Sequence, residues 1–241
     1  MKVMKDKVIN YFKNLNFNAE LHSYEARGKP LTSVSKTIGK YVEKVDFDMI
    51  AGFVAKKRTR ETGIYTTKEQ ILAEWEAKKN NSCSQGTAVH NFGENYTGLQ
   101  TPTNGFEQAI VSFWDNIPDY IEPFLFELKM YSEELGIAGT SDIILYNNKT
   151  GKFIIADYKT NEDLFKNFKG KKLLPPFNFL LENAYNKYQL QLSMYQLLFE
   201  QCGFEVESRR IIWLKPDGTY INYKTEDLTQ ELLVELTRNK K

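Results

Sequence analysis

Two β-branched-rich runs, GTSDIILY at 139–146 and KFIIADYK at 152–159, constrain this chain more than any other feature. Asn147-Asn148-Lys149-Thr150-Gly151 separates them. A short polar turn ending in glycine between two such runs specifies an antiparallel hairpin. If the turn is centred between Lys149 and Thr150, Tyr146 faces Phe153 and Asp142 faces Asp157. Directly opposed residues have Cβ atoms ~5 Å apart, and two carboxylates that close repel unless a cation lies between them. Alternation places Lys159 on the face of Asp157 and turns Tyr158 to the other side. Two acids and a lysine therefore converge at one end of a hairpin that is otherwise Ile, Leu and Phe. Two readings of the acids stand open: a salt bridge from Lys159 at an exposed strand end, or a metal site. Acids among such neighbours are costly to bury unless paired or metal-bound.

Around the hairpin, hydrophobic periodicity gives a coarse order of elements. A short helix is expected within residues 1–20, with Val8, Tyr11, Phe12 and Leu15 on one face. A hairpin turning at Arg27-Gly28-Lys29-Pro30 is expected over 20–38. Residues 46–80 read as helical, with Thr67 capping a helix that carries Ile71, Leu72 and Trp75. A separate helix is expected after Ser84, running through Val89, Phe92 and Tyr96, and another over 104–117. FLFELKMY (124–131) alternates as a strand. Helix returns from Ala184 to Gln201, a hairpin pairs RRIIWLK with TYINYK across Pro216-Asp217-Gly218, and a helix covers 227–238. The expected fold class is α/β, with a mixed, mostly antiparallel central sheet flanked by helices. The chain reads as a single domain over 1–241, with a helical and hairpin extension at 1–80 and a core at 84–241.

Composition narrows the classes. A chain of 241 residues with 41% hydrophobic and 26% charged residues is ordinary for a globular protein. Two cysteines, Cys83 and Cys202, are too few for a disulfide framework or a four-cysteine cluster. The charged start (Lys2, Lys5, Asp6, Lys7) is unlike a signal peptide. No run approaches the about 18 apolar residues of a membrane span, so a cytoplasmic protein is expected. A net charge of +1 argues against a generally basic nucleic-acid binder. The basic residues are nonetheless clustered, as Lys56-Lys57-Arg58 with Arg60, and as Lys166, Lys169, Lys171 and Lys172. Each cluster reads equally well as a solvated face or as a phosphate track.

Helical phase separates the side chains of 184–201 into three groups. At ~100° per residue, Leu190, Met194, Leu197 and Leu198 form a core stripe. Gln189, Ser193, Gln196 and Glu200 fall on the opposite side, expected to be solvated. Tyr188, Gln191 and Tyr195 share a face bordering the core, so Gln191 reaches inward; Tyr188 also fits a core-edge role.

The sequence GTSDIILY…IIADYK resembles the core of the PD-(D/E)XK nucleases, in which an aspartate on one strand is followed, one hairpin later, by Asp/Glu-x-Lys. GTAVHNFGE (86–94) is similar to the Gly-Thr-x-x-His-x-x-x-Glu helix of the RecB-like branch. QLSMY (191–195) is similar to that branch's Gln-x-x-x-Tyr helix. The flanks LTSVSKTI near residue 31 and LLPPFNFLLENAYNKYQLQLSMY also resemble phage-type exonucleases of this branch, including relatives of mitochondrial genome-maintenance exonucleases. The likeness covers roughly residues 20–200.

The resemblance implies a restriction-endonuclease-like core and a Mg²⁺- or Mn²⁺-dependent deoxyribonuclease without an iron–sulfur cluster. It implies catalytic roles for Asp142, Asp157, Lys159, Gln191 and Tyr195. It implies a metal held by His90, Asp142, Asp157 and the backbone carbonyl of Tyr158, with Glu94 and Glu127 in outer or second-metal positions. Gly86 would let the His90 helix approach the sheet. Lys166, Lys169, Lys171 and Lys172, with Tyr188, would contact DNA, the lysines on a mobile flap that also holds Phe165, Phe168, Phe177 and Phe179. Phe177 and Phe179 fit core packing equally well. The expected partner is DNA, as single strands or duplex ends, with a recombination or single-strand-binding protein alongside, in a bacterial or phage-infected cell and away from membranes. An exonuclease is the leading reading; an endonuclease, or a binding protein without catalysis on the same fold, are the alternatives.

Overall fold

The expected hairpin forms in the expected register. In a computed structural model that describes residues 1–21 and 23–238, β5 (Ile137–Asn147) pairs with β6 (Lys152–Lys159), and Tyr146 lies opposite Phe153. The ladder runs from Asn147↔Lys152 to Ile143↔Ala156 and stops one step short of Asp142 and Asp157.

The elements before it are α1 (Lys2–Phe12), β1 (Leu15–Asn18), β2 (Ser23–Ala26), β3 (Lys29–Ser33), α2 (Val34–Gly39), α3 (Phe47–Thr62), α4 (Lys68–Asn95), α5 (Gly105–Asp115) and β4 (Ile121–Ser132). Those after it are α6 (Ala184–Glu200), β7 (Val206–Leu214), β8 (Tyr220–Lys224) and α7 (Thr229–Arg238). Among the described residues the strands make one eight-stranded, mostly antiparallel sheet, ordered β1-β2-β3-β5-β6-β7-β8 with β4 on the other edge of β5. The fold is mixed α/β. Its two parallel pairings, β6 with β7 and a two-residue contact of β3 with β5, follow from the long helical and loop connections between those strands.

The chain divides into two compact units, Met1–Val42 with Phe92–Lys241, and Glu43–Asn91. Residues 1–42 group with the sheet through β1–β3, where the sequence alone grouped 1–80 together. The second unit holds α3 and most of α4. Its small core is Ala51, Ala55 and Ile71, with Val54, Leu72 and Trp75 against it. Thr67 caps α4 as expected, through a reciprocal box: Gln70 N–H donates to Thr67 Oγ1 (3.2 Å) and Thr67 N–H to Gln70 Oε1 (2.8 Å). A bidentate Arg58–Glu74 pair, at 2.7 and 3.0 Å, ties α3 to α4. The helix expected to begin after Ser84 does not exist separately, because α4 continues unbroken through Ser82, Ser84 and Gly86. These residues disfavour a helix interior without forbidding it.

In the first unit, Leu190, Leu192, Met194, Leu198 and Phe199 of α6 pack with sheet residues Phe124, Ile144, Phe153 and Ile155. The side of α6 expected to face solvent is in fact covered. Gln189, Ser193 and Gln196 are buried, and their polar groups anchor the segment that leads into α7. Glu226 N–H donates to Gln189 Oε1 (2.9 Å) and Leu228 N–H to Ser193 Oγ (3.2 Å). Arg209 on β7, itself buried, donates to Gln196 Oε1 and to Asp227 (2.9 Å). The helix is thus covered by hydrocarbon on one side and by paired amides on the other. Polarity alone could not distinguish the paired side from a solvated one.

Burial works to raise the Asp227 carboxyl, but the Thr229 hydroxyl and N–H and the Arg209 guanidinium outweigh it and hold it below the usual carboxylate value. A depressed folded-state pKa contributes stability that is complete above the unfolded value of about 3.9 and fades as pH falls through the folded one. Asp227→Asn should therefore lower the Tm at neutral pH, with the deficit shrinking below about pH 4. Melting curves across that range check this. A deficit unchanged by acid would show that ionised Asp227 adds no stability.

Candidate active site at a fork in the sheet

β5 has two edges, and they are used differently. β4 pairs along one edge from Ile121↔Asn147 to Ser132↔Ile137. The other edge is shared: β6 takes Ile143–Asn147, and β3 takes Ile137 and Ala138 in parallel. Gly139, Thr140, Ser141 and Asp142 lie between these two ladders, where β6 leaves β5 to follow β7. This fork holds the candidate site.

Side chains complete what the ladder leaves. Tyr158 N–H donates to Asp142 Oδ2 at 3.0 Å, a carboxylate substituting for the backbone acceptor that a continued ladder would have supplied. In an extended strand the N–H and C=O of one residue point to the same edge, so the Tyr158 carbonyl also points into the fork. Thr140 Oγ1 is hydrogen-bonded to Tyr24 Oη at 3.1 Å. Gly139 receives the Tyr195 ring: a Cβ there would lie 2.7 Å from the ring's Cε1 and 3.1 Å from Val34.

The two sequence-expected acids take different surroundings. Asp157 is 1% exposed and ion-paired with Lys159 Nζ, whose side chain is itself 13% exposed. Burial alone would pull the Lys159 ammonium down, but the Asp157 and Asp142 carboxylates outweigh it and hold it above its ordinary value. Lys159 Nζ also stands 4.6 Å from the centre of the Tyr188 ring. Asp142 is half-buried, and Glu127 is an acidic neighbour. Leu128↔Ser141 and Phe126↔Ile143 flank Glu127, placing it in register with Asp142 across β4 and β5. Their carboxylate oxygens lie within 4.8 Å of one another. Glu127 adopts φ +46°, a left-handed conformation that costs a non-glycine residue on the order of 1 kcal/mol.

The α6 residues gather as expected. Gln191 Nε2 donates to Tyr195 Oη at 2.8 Å. Burial, then the nearby Asp157, pushes the Tyr195 phenol well above its usual value, so it is a neutral group. Tyr188 Oη donates to Asn161 Oδ1 at 2.9 Å, and the Asn161 carbonyl accepts from Trp213 Nε1 at 2.7 Å. Asn161 and Trp213 were not legible as site residues, because a Trp in a β-rich run reads as core.

The residues of GTAVHNFGE lie on α4. Glu94 is exposed and stands outside the acidic group around Asp142. His90 is half-buried on α4, in the second unit. The glycine that permits close approach is not Gly86, around which a Cβ would meet nothing within 4 Å. It is Gly93, one turn beyond His90, where a Cβ would lie 2.5 Å from the Tyr158 ring. Both glycines belong to GTAVHNFGE, and only packing distinguishes them. Trp114 Nε1 donates to Tyr158 Oη at 3.0 Å, fixing that ring on the face opposite Asp157 and Lys159.

The 160–183 segment is not an open flap. Leu173 N–H donates to the Leu180 carbonyl (3.0 Å), Glu182 N–H to Lys171 O (2.8 Å), and Leu174 N–H to Tyr41 O (2.7 Å). Leu164, Leu173 and Phe177 are buried, whereas Phe168 and Phe179 are exposed. Lys166, Lys169 and Lys172 are exposed, and Lys171 pairs with Glu182 at 3.1 Å. Cys83 and Cys202 are both free thiols, and burial pushes Cys202 up to about 12. Among the described residues no helix is long and apolar enough to cross a membrane.

No protein-family model matches this chain, and no curated protein sequence does. A solved structure described as "Crystal structure of SSO0001" is 17% identical, with 86% of this chain and 82% of that one covered, at a TM-score of 0.32.

The two glycines of the motif give a direct test of the packing. Gly93→Ala should destabilise by about 1–3 kcal/mol through overpacking against Tyr158. Gly86→Ala should stabilise by about 0.5–1 kcal/mol, since alanine suits a helix interior better. Chemical denaturation of both variants checks this, and equal effects would contradict the close approach at Gly93.

Proposed function

We propose that this chain is a divalent-metal-dependent nuclease that hydrolyses DNA phosphodiesters, built on a restriction-endonuclease-like core of the PD-(D/E)XK, RecB-like kind and acting as an exonuclease. One observation carries the reading. Asp142, Asp157 and Lys159 meet where β6 leaves β5, with a second carboxylate, Glu127, in register with Asp142. Acids are expensive to gather and bury, and a cation between them offsets that cost.

The donors suit a hard divalent ion. Asp142 and Glu127 supply carboxylate oxygens and the Tyr158 carbonyl a neutral one. By the family resemblance His90 would add an imidazole, and such a set is compatible with Mg²⁺ and favourable to Mn²⁺. Asp157 joins it from its pair with Lys159. Glu127 thus moves from an outer position to a direct ligand. The chemistry such an ion supplies when bound is polarisation of the phosphate and acidification of a water.

The chain's own residues supply the rest. Lys159, held protonated by Asp157 and Asp142, places a fixed positive charge where negative charge develops on the phosphate. Its protonated state suits it to that role and to orienting a water more than to taking up a proton. The Tyr158 N–H holds Asp142 in one direction. Gln191 and Tyr195 form a neutral hydrogen-bonded pair on the α6 face beside Asp157, suited to positioning the strand without adding charge. Lys166, Lys169 and Lys172 offer phosphate contacts from a structured segment, and Lys171 less so because Glu182 already holds it.

Purified protein should degrade linear DNA with Mg²⁺ or Mn²⁺ and not in EDTA, and should leave covalently closed circles intact. Asp142→Ala, Asp157→Ala and Lys159→Ala should each lose activity by at least about a hundredfold while remaining folded. Full activity in folded Asp157→Ala would refute the assignment, and cutting of closed circles would refute its exonuclease part.

A further inference from the structure

The sheet edge beyond Lys159 carries a group of aromatic rings that the hydrolytic site does not use. Phe165, from the segment after β6, packs against Tyr185 of α6 (ring centres 5.0 Å apart, 31° between planes) and against Tyr223 of β8 (5.5 Å, 78°). Trp213 of β7 stands behind them, 6.3 Å from Phe165 and 6.2 Å from Tyr223. Four elements distant in sequence thus bring their rings to one place. Trp213 is 8% exposed and forms the floor, while Phe165 is 44% exposed. The cluster leaves nearly half of the Phe165 ring in water.

The cluster is continuous with the candidate site. Asn161 joins the two: its side chain accepts from Tyr188, the ring beside Lys159 Nζ, and its carbonyl accepts from Trp213. Cations border the rings on both sides. Lys159 stands over Tyr188, Lys215 Nζ over Trp213, and exposed Lys166 follows Phe165 directly. Acids are present as well, with Asp163 and Asp217 near Lys215 and Glu226 near Tyr185. Rings at a half-open surface with lysines spaced between them match a phosphate–base repeat better than a peptide. Unpaired bases stack on aromatic faces while the intervening phosphates meet cations. In a duplex the base faces are occupied by neighbouring bases, so only an unpaired strand can use such a surface.

We propose that the Phe165–Tyr185–Tyr223–Trp213 cluster is a base-stacking platform, and that the strand bound beside Lys159 is single-stranded there. This rests on the nuclease reading and adds the class of substrate to it. The test measures binding apart from cleavage, by fluorescence anisotropy in EDTA. A labelled oligo(dT) strand is compared with a strand of the same length made of abasic spacers, which keeps the phosphates and removes the stacking. Wild-type protein should bind oligo(dT) about tenfold more tightly than the abasic strand. Phe165→Ala should lose most of that difference while its affinity for the abasic strand stays unchanged, and Phe165→Trp should restore it. The tryptophan variant guards against a mere loss of folding. Undiminished base dependence in Phe165→Ala, or equal wild-type affinity for the two strands, would overturn the platform while leaving the metal-dependent chemistry standing. Failure of the wild type to bind either strand would overturn the platform as well, whereas the nuclease reading fails only if linear DNA survives with Mg²⁺ or Mn²⁺.

Discussion

The hydrogen bond from Tyr158 N–H to Asp142 Oδ2 is the interaction on which the rest of the site depends. Where β6 turns from β5 towards β7, a backbone donor loses its ladder acceptor, and a buried donor left without one costs about 1–3 kcal/mol. A carboxylate at that position satisfies the donor and is itself fixed in direction. The same divergence aims the Tyr158 carbonyl into the fork and leaves Gly139 facing the Tyr195 ring. A local departure from regular pairing thus gathers polar groups that a continuous sheet would have kept apart.

That geometry also explains how charge is arranged. Asp157 and Lys159 are buried together and neutralise one another, so neither must be solvated alone. Asp142 and Glu127 are like charges in register on neighbouring strands. The strained backbone at Glu127 sits at the same spot. Strain and like-charge proximity at one place are usual where a chain is shaped for a ligand and not for its own stability.

Much of this was legible from sequence, and the failures have identifiable causes. The hairpin register followed from its turn and holds as far as Ile143↔Ala156, one step short of Asp142 and Asp157. The Gln191 face of α6 followed from helical phase. Covering of the opposite face by the segment before α7 did not, because buried amides and solvated amides look alike in sequence. That Glu127 lies beside Asp142 was not legible, because strand alternation says which face a residue takes and not which strand lies beside it. The choice between Gly86 and Gly93 required knowing where the Tyr158 ring lies. The 160–183 segment looked like a flap because its anchoring is carried by backbone hydrogen bonds, which leave no mark in composition.

The central claim is that the carboxylates at the fork exist to hold a divalent cation, and manganese binding followed by electron paramagnetic resonance tests it most directly. The free Mn²⁺ signal is titrated with wild-type protein and with Asp142→Asn, Glu127→Gln and Lys159→Met. Wild type should remove Mn²⁺ from solution at a discrete site. Asp142→Asn and Glu127→Gln should each weaken that binding by at least about tenfold, as loss of a charged ligand does, while Lys159→Met should retain it. Equal Mn²⁺ binding by wild type and Asp142→Asn would contradict the account.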